Sequence, residues 1–84
     1  MRSDIRSTIL TALIEILTEG GIDIPEVTDE TVLLQTGLDS LGFAVLVTRL
    51  EEQLGFDPFT LMKDAIYPRN FIEFVHLYQL YAPE

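Results

Sequence analysis

The sequence predicts an all-α chain, and three observations carry that prediction. Apolar residues recur at three- and four-residue spacing in three separate stretches. Glycine and proline punctuate the chain between those stretches. Few positions alternate strictly over the length of a strand. The expected architecture is three long helices and one short one, with a long first loop.

From Asp4 onward, Ile5, Ile9, Leu13, Ile16 and Leu17 make one apolar stripe, with Ser3 or Asp4 placed to cap the helix and Gly20-Gly21 to stop it. The loop IDIPEVTDETVLLQTGLD follows. Loops longer than about 12–15 residues are uncommon in compact domains and usually have a function. Val32, Leu33 and Leu34 are its tight apolar cluster and are expected to pin it to the core.

The loop delivers the chain to Ser40, where a second helix is expected to run to Leu54, since Phe43, Leu46, Val47, Leu50 and Leu54 share a face and Gly55 is a natural terminator. Leu41, Ala44 and Val45 fall off that stripe, which leaves apolar surface for another element or another molecule. Asp57-Pro58 opens a turn or short helix, and PFTLMKDAIY holds one brief helical turn before Pro68. Asn70 with Glu73 three residues on is a cap-like arrangement ahead of a last helix striped by Phe71, Phe74, Val75, Tyr78 and Tyr81. No internal repeat or low-complexity tract is present.

At 84 residues the chain is expected to be a single domain, 1–84, and a chain of this size buries about 60–65% of the surface its unfolded form exposes. Its 48% hydrophobic and 23% charged residues are a globular balance, far from the composition of disorder. Fourteen acidic residues against five basic give a net charge of -9, a field that repels nucleic acid and anionic membranes and favours basic partners. The absence of cysteine excludes a disulfide framework, a thiolate metal site and a cysteine nucleophile, so any thiol chemistry needs a borrowed thiol. Asp4 and Glu15 interrupt the N-terminal apolar stretch and no cleavage pattern follows it. No apolar run nears the roughly 20 residues that span a bilayer. The expectation is a soluble, cytoplasmic protein.

Ser40, within TGLDSLGF, is the residue with open chemical possibilities. As a nucleophile it would need a base, yet the one histidine, His76, sits inside the last helix, and G-x-S-x-G is not formed. Metal binding finds no support either, because Asp23, Glu26, Asp29 and Glu30 lack the spacing of a calcium loop. Two readings remain at the helix start. Asp39 or Ser40 caps it, or the free N–H groups and positive dipole end favour a phosphate ester on the Ser40 hydroxyl.

The GLDSL motif after an acidic loop and before an apolar helix, in an acidic, cysteine-free chain of this length, resembles an acyl carrier protein. The likeness runs from the first helix through TVLLQTGLDSLGFAVLVTRLEEQLGF to the last. It implies a right-handed bundle of three long helices and one short one, with 4'-phosphopantetheine covalently attached to Ser40. A separate phosphopantetheinyl transferase, with Mg²⁺ and coenzyme A, would install the arm, so Ser40 would need no base of its own. The arm would supply the missing thiol and hold an acyl, aminoacyl or peptidyl group as a thioester.

By the same resemblance, the transferase reads Asp39 and Leu41, while Leu41, Ala44, Val45 and Thr48, with Glu51 and Glu52 at an acidic end, face partner enzymes. These partners would be a loading ligase and a downstream synthase or transferase. The chain would be a non-enzymatic, monomeric, stand-alone carrier. It departs from fatty-acid carriers, which tend to place acids just after the DSL triplet and one turn later, where this chain has Gly42, Val45 and then Arg49. That departure implies a specialised lipid, polyketide or nonribosomal pathway and partners that read an apolar patch. The alternative is an unmodified helical interaction module docking through Leu41 and Val45.

Overall fold

In a computed structural model, which describes residues 4–63 and 67–83, the chain folds as four helices: α1 Ile5–Glu19, α2 Ser40–Leu54, α3 Pro58–Leu61 and α4 Phe71–Tyr81. A 3-10 turn, Leu33–Gln35, interrupts the long loop. The all-α architecture expected from the stripes is the one observed. Ser3, one of the two caps expected for α1, and residues 64–66 of the PFTLMKDAIY segment lie outside the described residues. Asp4 holds the cap position of α1 but its side chain accepts no cap bond from the backbone; its carboxylate instead accepts from the Ser7 hydroxyl at 3.1 Å.

Most of the stripe positions bury, with Ile16 and Tyr81 only half-buried. Ile9, Leu13 and Leu17 of α1, Leu46 and Leu50 of α2, and Phe71, Phe74, Val75 and Tyr78 of α4 form one core. Phe43, Val47 and Leu54 pack against it half-buried. Burial of each large apolar side chain is worth about 1.5–3 kcal/mol, so these positions outweigh any local propensity.

Each helix end has a chemical cause. Ile22 N–H bonds back to the Leu17 carbonyl across Gly21, which has φ 71°. Gly55, at φ 87°, closes α2. Asp57 caps α3 by accepting Phe59 N–H at 2.9 Å, with Pro58 at the first helical position. Asn70 accepts Glu73 N–H at 3.0 Å, while the Glu73 carboxylate reaches back to Arg69 N–H at 2.9 Å. The cap box expected at Asn70 thus closes one residue further upstream.

The long loop is held to the start of α4 by backbone. Leu33 N–H donates to the Arg69 carbonyl, Phe71 N–H to Thr31 and Ile72 N–H to Asp29, at 2.9–3.1 Å, and Val32 and Asn70 form an isolated antiparallel bridge. Arg6 of α1 adds an ion pair to Asp29 at 2.6 Å and lies 5.0 Å over the Phe71 ring. Of the expected loop anchors, Leu33 is buried, but Leu34 is 59% exposed. On a 3-10 turn adjacent side chains diverge by about a third of a revolution, so only one of the two leucines can point inward.

The tyrosine hydroxyl at the centre of α4 is an exception to good pairing. Tyr78 is fully buried against Phe56, Phe59 and Phe74, and its hydroxyl has no partner among the described residues. Burial, with Asp57 and Glu51 nearby, pushes its phenol above the ordinary tyrosine value.

Candidate functional site

Residues 36–43 build one small structure, and every position has its own reason. Thr36 is buried, donates its hydroxyl to the Leu33 carbonyl at 2.7 Å and accepts Leu38 N–H at 3.4 Å. Gly37 has φ 103°, and a Cβ there would stand 2.6 Å from Ile22 Cγ2. Only glycine meets both conditions without strain. The turn drops Leu38 into the core and swings Asp39 outward.

Asp39 then caps α2: its carboxylate accepts Gly42 N–H at 2.7 Å and its carbonyl accepts Phe43 N–H at 2.8 Å. Of the two caps the sequence allows, the structure selects Asp39, which makes Ser40 the first helical residue. Ser40 is exposed. Among the described residues nothing hydrogen-bonds its hydroxyl, and no acceptor engages the N–H groups of Ser40 and Leu41. Two donors at the positive end of α2 are therefore free for water or an anion. His76 is exposed on α4 and makes no hydrogen bond to Ser40. No cluster among the described residues could hold a metal ion.

Two different surfaces flank Ser40. On one side a cleft between the end of α1 and the start of α2, about 430 Å³, is lined by Ile16, Ile22, Leu41 and Val45 among others. Leu41 is 73% exposed and Val45 39%. Ala44, Thr48, Glu51 and Glu52 are exposed on α2 as well. Ala44, Val45, Thr48, Arg49 and Glu52 share a shallow hollow of about 300 Å³, which Glu51 does not line. Thr48 turns its hydroxyl onto the Ala44 carbonyl at 3.0 Å, so it presents mainly its methyl group.

The face is less basic than Arg49 suggests. Its guanidinium makes a two-pronged contact with the Glu19 carboxylate at 3.1 and 3.2 Å and lies 3.8 Å from Glu15. The hydrogen bond to Glu19 holds the guanidinium pKa above its ordinary value. Gly42 likewise has an internal reason: a Cβ would stand 2.8 Å from Leu38 Cδ1, in a side chain that is itself buried.

On the other side of Ser40 an apolar cup of about 200 Å³ is lined by Leu33, Leu34, Ser40, Phe43, Tyr67 and Pro68. Tyr67 is 69% exposed and stacks on Phe59, ring centroids 5.8 Å apart. Neither Leu34 nor Tyr67 stands out in the sequence as a site residue. The usable signal is faint: each lies next to a residue that is tied to α4, Leu33 through Arg69 and Pro68 through the chain itself.

A family model for a phosphopantetheine attachment site matches residues 7–76, most of the chain. Comparisons with curated proteins and with solved structures give no match. The geometry fits such a group: an exposed, unengaged hydroxyl stands beside two free N–H donors suited to a phosphate, and an apolar cup adjoins it. The chain belongs to the phosphopantetheine attachment site family, that of the acyl carrier proteins, and its prosthetic group is 4'-phosphopantetheine.

Proposed function

We propose that Ser40 carries the arm and that the chain, a single domain over 1–84, serves as a free-standing monomeric carrier in the cytoplasm for a specialised lipid or secondary-metabolite pathway. One observation supports the attachment residue above others: Ser40 is the exposed first residue of α2, with its hydroxyl unengaged and its own N–H and that of Leu41 free. Asp39 fixes that first turn from the inside, through Gly42 and Phe43, so the hydroxyl is presented on a rigid element. Among the described residues no side chain hydrogen-bonds the Ser40 hydroxyl to raise its nucleophilicity, which suits a residue that is modified by another enzyme. When attached, the arm supplies the thiol that the sequence lacks, for holding an acyl or aminoacyl group as a thioester. The chain itself then needs no catalytic residue.

Partner enzymes, a loading ligase and a downstream synthase or transferase, would dock on Leu41, Ala44, Val45, Thr48 and Glu52, with Glu51 at the rim. Glu19 joins that surface from α1, because its carboxylate compensates Arg49. Incubation with a phosphopantetheinyl transferase, Mg²⁺ and coenzyme A should add one phosphopantetheine by intact mass, and Ser40→Ala should abolish the gain. Wild type left unmodified by several transferases would overturn the reading. The exposure of Leu41 and Val45 also suits an unmodified interaction module. In that case Ser40→Ala leaves complex formation intact and Val45→Lys breaks it. Intact mass of the protein from its own host reads the cargo and the free-standing state together.

A further inference from the structure

We infer that the apolar cup beside Ser40 seats the arm itself, at its gem-dimethyl pantoyl segment, and so holds the arm in one direction across the surface; this rests on Ser40 being the attachment residue. The first argument is position. Ser40 is itself part of the cup's lining, with Leu34, Phe43 and Tyr67 facing the same space. Along 4'-phosphopantetheine the phosphate is followed by one methylene and then by a quaternary carbon bearing two methyl groups. That is the first apolar group outward from the serine, and the rest of the arm, up to the thiol, is built around two amides. Only the pantoyl group can enter the cup without the arm folding back on itself.

Size gives the second argument. A cavity of about 150 Å³ accepts a benzene molecule, and this cup is about 200 Å³ and open to solvent. It takes a branched group of five or six heavy atoms without rearrangement of its walls. Rigidity gives the third. Phe43 is packed on Phe74 at 5.6 Å and Tyr67 on Phe59 at 5.8 Å, so the ring walls are braced by the core. The floor, Leu33, is tied to Arg69 through backbone.

The test is nuclear magnetic resonance on the holo protein, made by transferase from coenzyme A labelled with ¹³C in the two pantoyl methyl groups. The expected result is methyl signals shifted upfield of those in free coenzyme A, with nuclear Overhauser contacts to the Phe43 and Tyr67 rings. Leu34→Ser and Tyr67→Ser, both at exposed positions, should be modified as fully as wild type by mass, yet lose those contacts and return the methyl shifts toward free coenzyme A. A mass gain with methyl shifts and relaxation equal to those of free coenzyme A overturns the inference while leaving Ser40 as the attachment residue. In a second sample with an acyl chain loaded on the thiol, contacts from that chain to the same rings, in place of the pantoyl methyls, overturn it too. No mass gain in wild type overturns both.

Discussion

The two flanks of Ser40 expose similar kinds of residue but are built differently. The cup flank is continuous with the core: Phe43 and Tyr67 rest on Phe74 and Phe59, which touch Tyr78, and its floor is hydrogen-bonded to the start of α4. The flank toward α1 is a seam between two helices, edged by side chains that reach into solvent, Leu41 and Val45, and clasped across the top by Arg49 and Glu19. Exposed apolar area therefore means different things on the two sides. A braced hollow suits a small group tethered beside it, whereas a seam of projecting side chains suits a second protein surface.

Variants should separate the flanks by the size of their effect on folding. Gly37 is where the comparison breaks first, because its turn carries the loop from the seam to the site. Gly37→Val forces a β-branched residue into positive φ against Ile22 and should destabilise by about 1–3 kcal/mol from the backbone alone, read in a urea melt; an unchanged midpoint would remove the strain argument. Behind the cup, Tyr78→Phe should act in the opposite direction. It deletes a buried hydroxyl with no partner, for a gain of about 1 kcal/mol.

The pH dependence follows with its sign. The folded chain keeps the Tyr78 proton that the unfolded chain releases above roughly pH 10, so this group's contribution to stability is intact below that pH and is lost as pH rises past it. Tyr78→Phe should blunt the alkaline decline, and a decline identical in both proteins would assign it elsewhere.

At the junction of the flanks, Asp39→Ala should cost about 1 kcal/mol through the lost cap. Asp39→Asn keeps a capping oxygen and should recover most of that. Modification that stays slow in a stable Asp39→Asn protein would separate recognition of the carboxylate from its structural role. On the seam, Leu41→Ser and Val45→Lys should leave the melt within about 0.5 kcal/mol of wild type while lowering the rate at which partner enzymes load or accept the cargo. A seam variant that melts early would move Leu41 or Val45 into the fold and weaken the distinction. The smallest effect belongs to Arg49→Gln: this exposed contact should matter little to the melt, and any difference should fade near 1 M salt, where the screening length is about 3 Å.

Helices α1, α2 and α4 were legible because stripe and boundary signal agree at each: Leu17 with the stop at Gly20-Gly21, Leu54 with the stop at Gly55, Phe71 with the cap at Asn70. The start of α2 was legible too, since few residues other than Asp39 and Ser40 could satisfy its free N–H groups. What escaped sequence reading depends on contacts across distance or on a turn's handedness. Nothing in the string says which of Leu33 and Leu34 points inward, that Thr36 bridges two backbone groups, or that Glu19 will meet Arg49 thirty positions later. Gly42 is the instructive case. Read from the sequence alone it marks a departure that partners sense, yet in the structure a side chain there would also press on the Leu38 side chain.

The backbone ties between the long loop and the start of α4 carry a consequence for the order of events during synthesis. Residues 29–33 are held by residues 69–72, so the platform that presents Ser40 is not finished until α4 has been made and has docked. Contacts of such sequence separation form late, and chains emerge at about 5–20 residues per second. A transferase that requires the finished platform would pass over nascent and truncated chains, and attachment of the arm would double as a check that the carrier is complete.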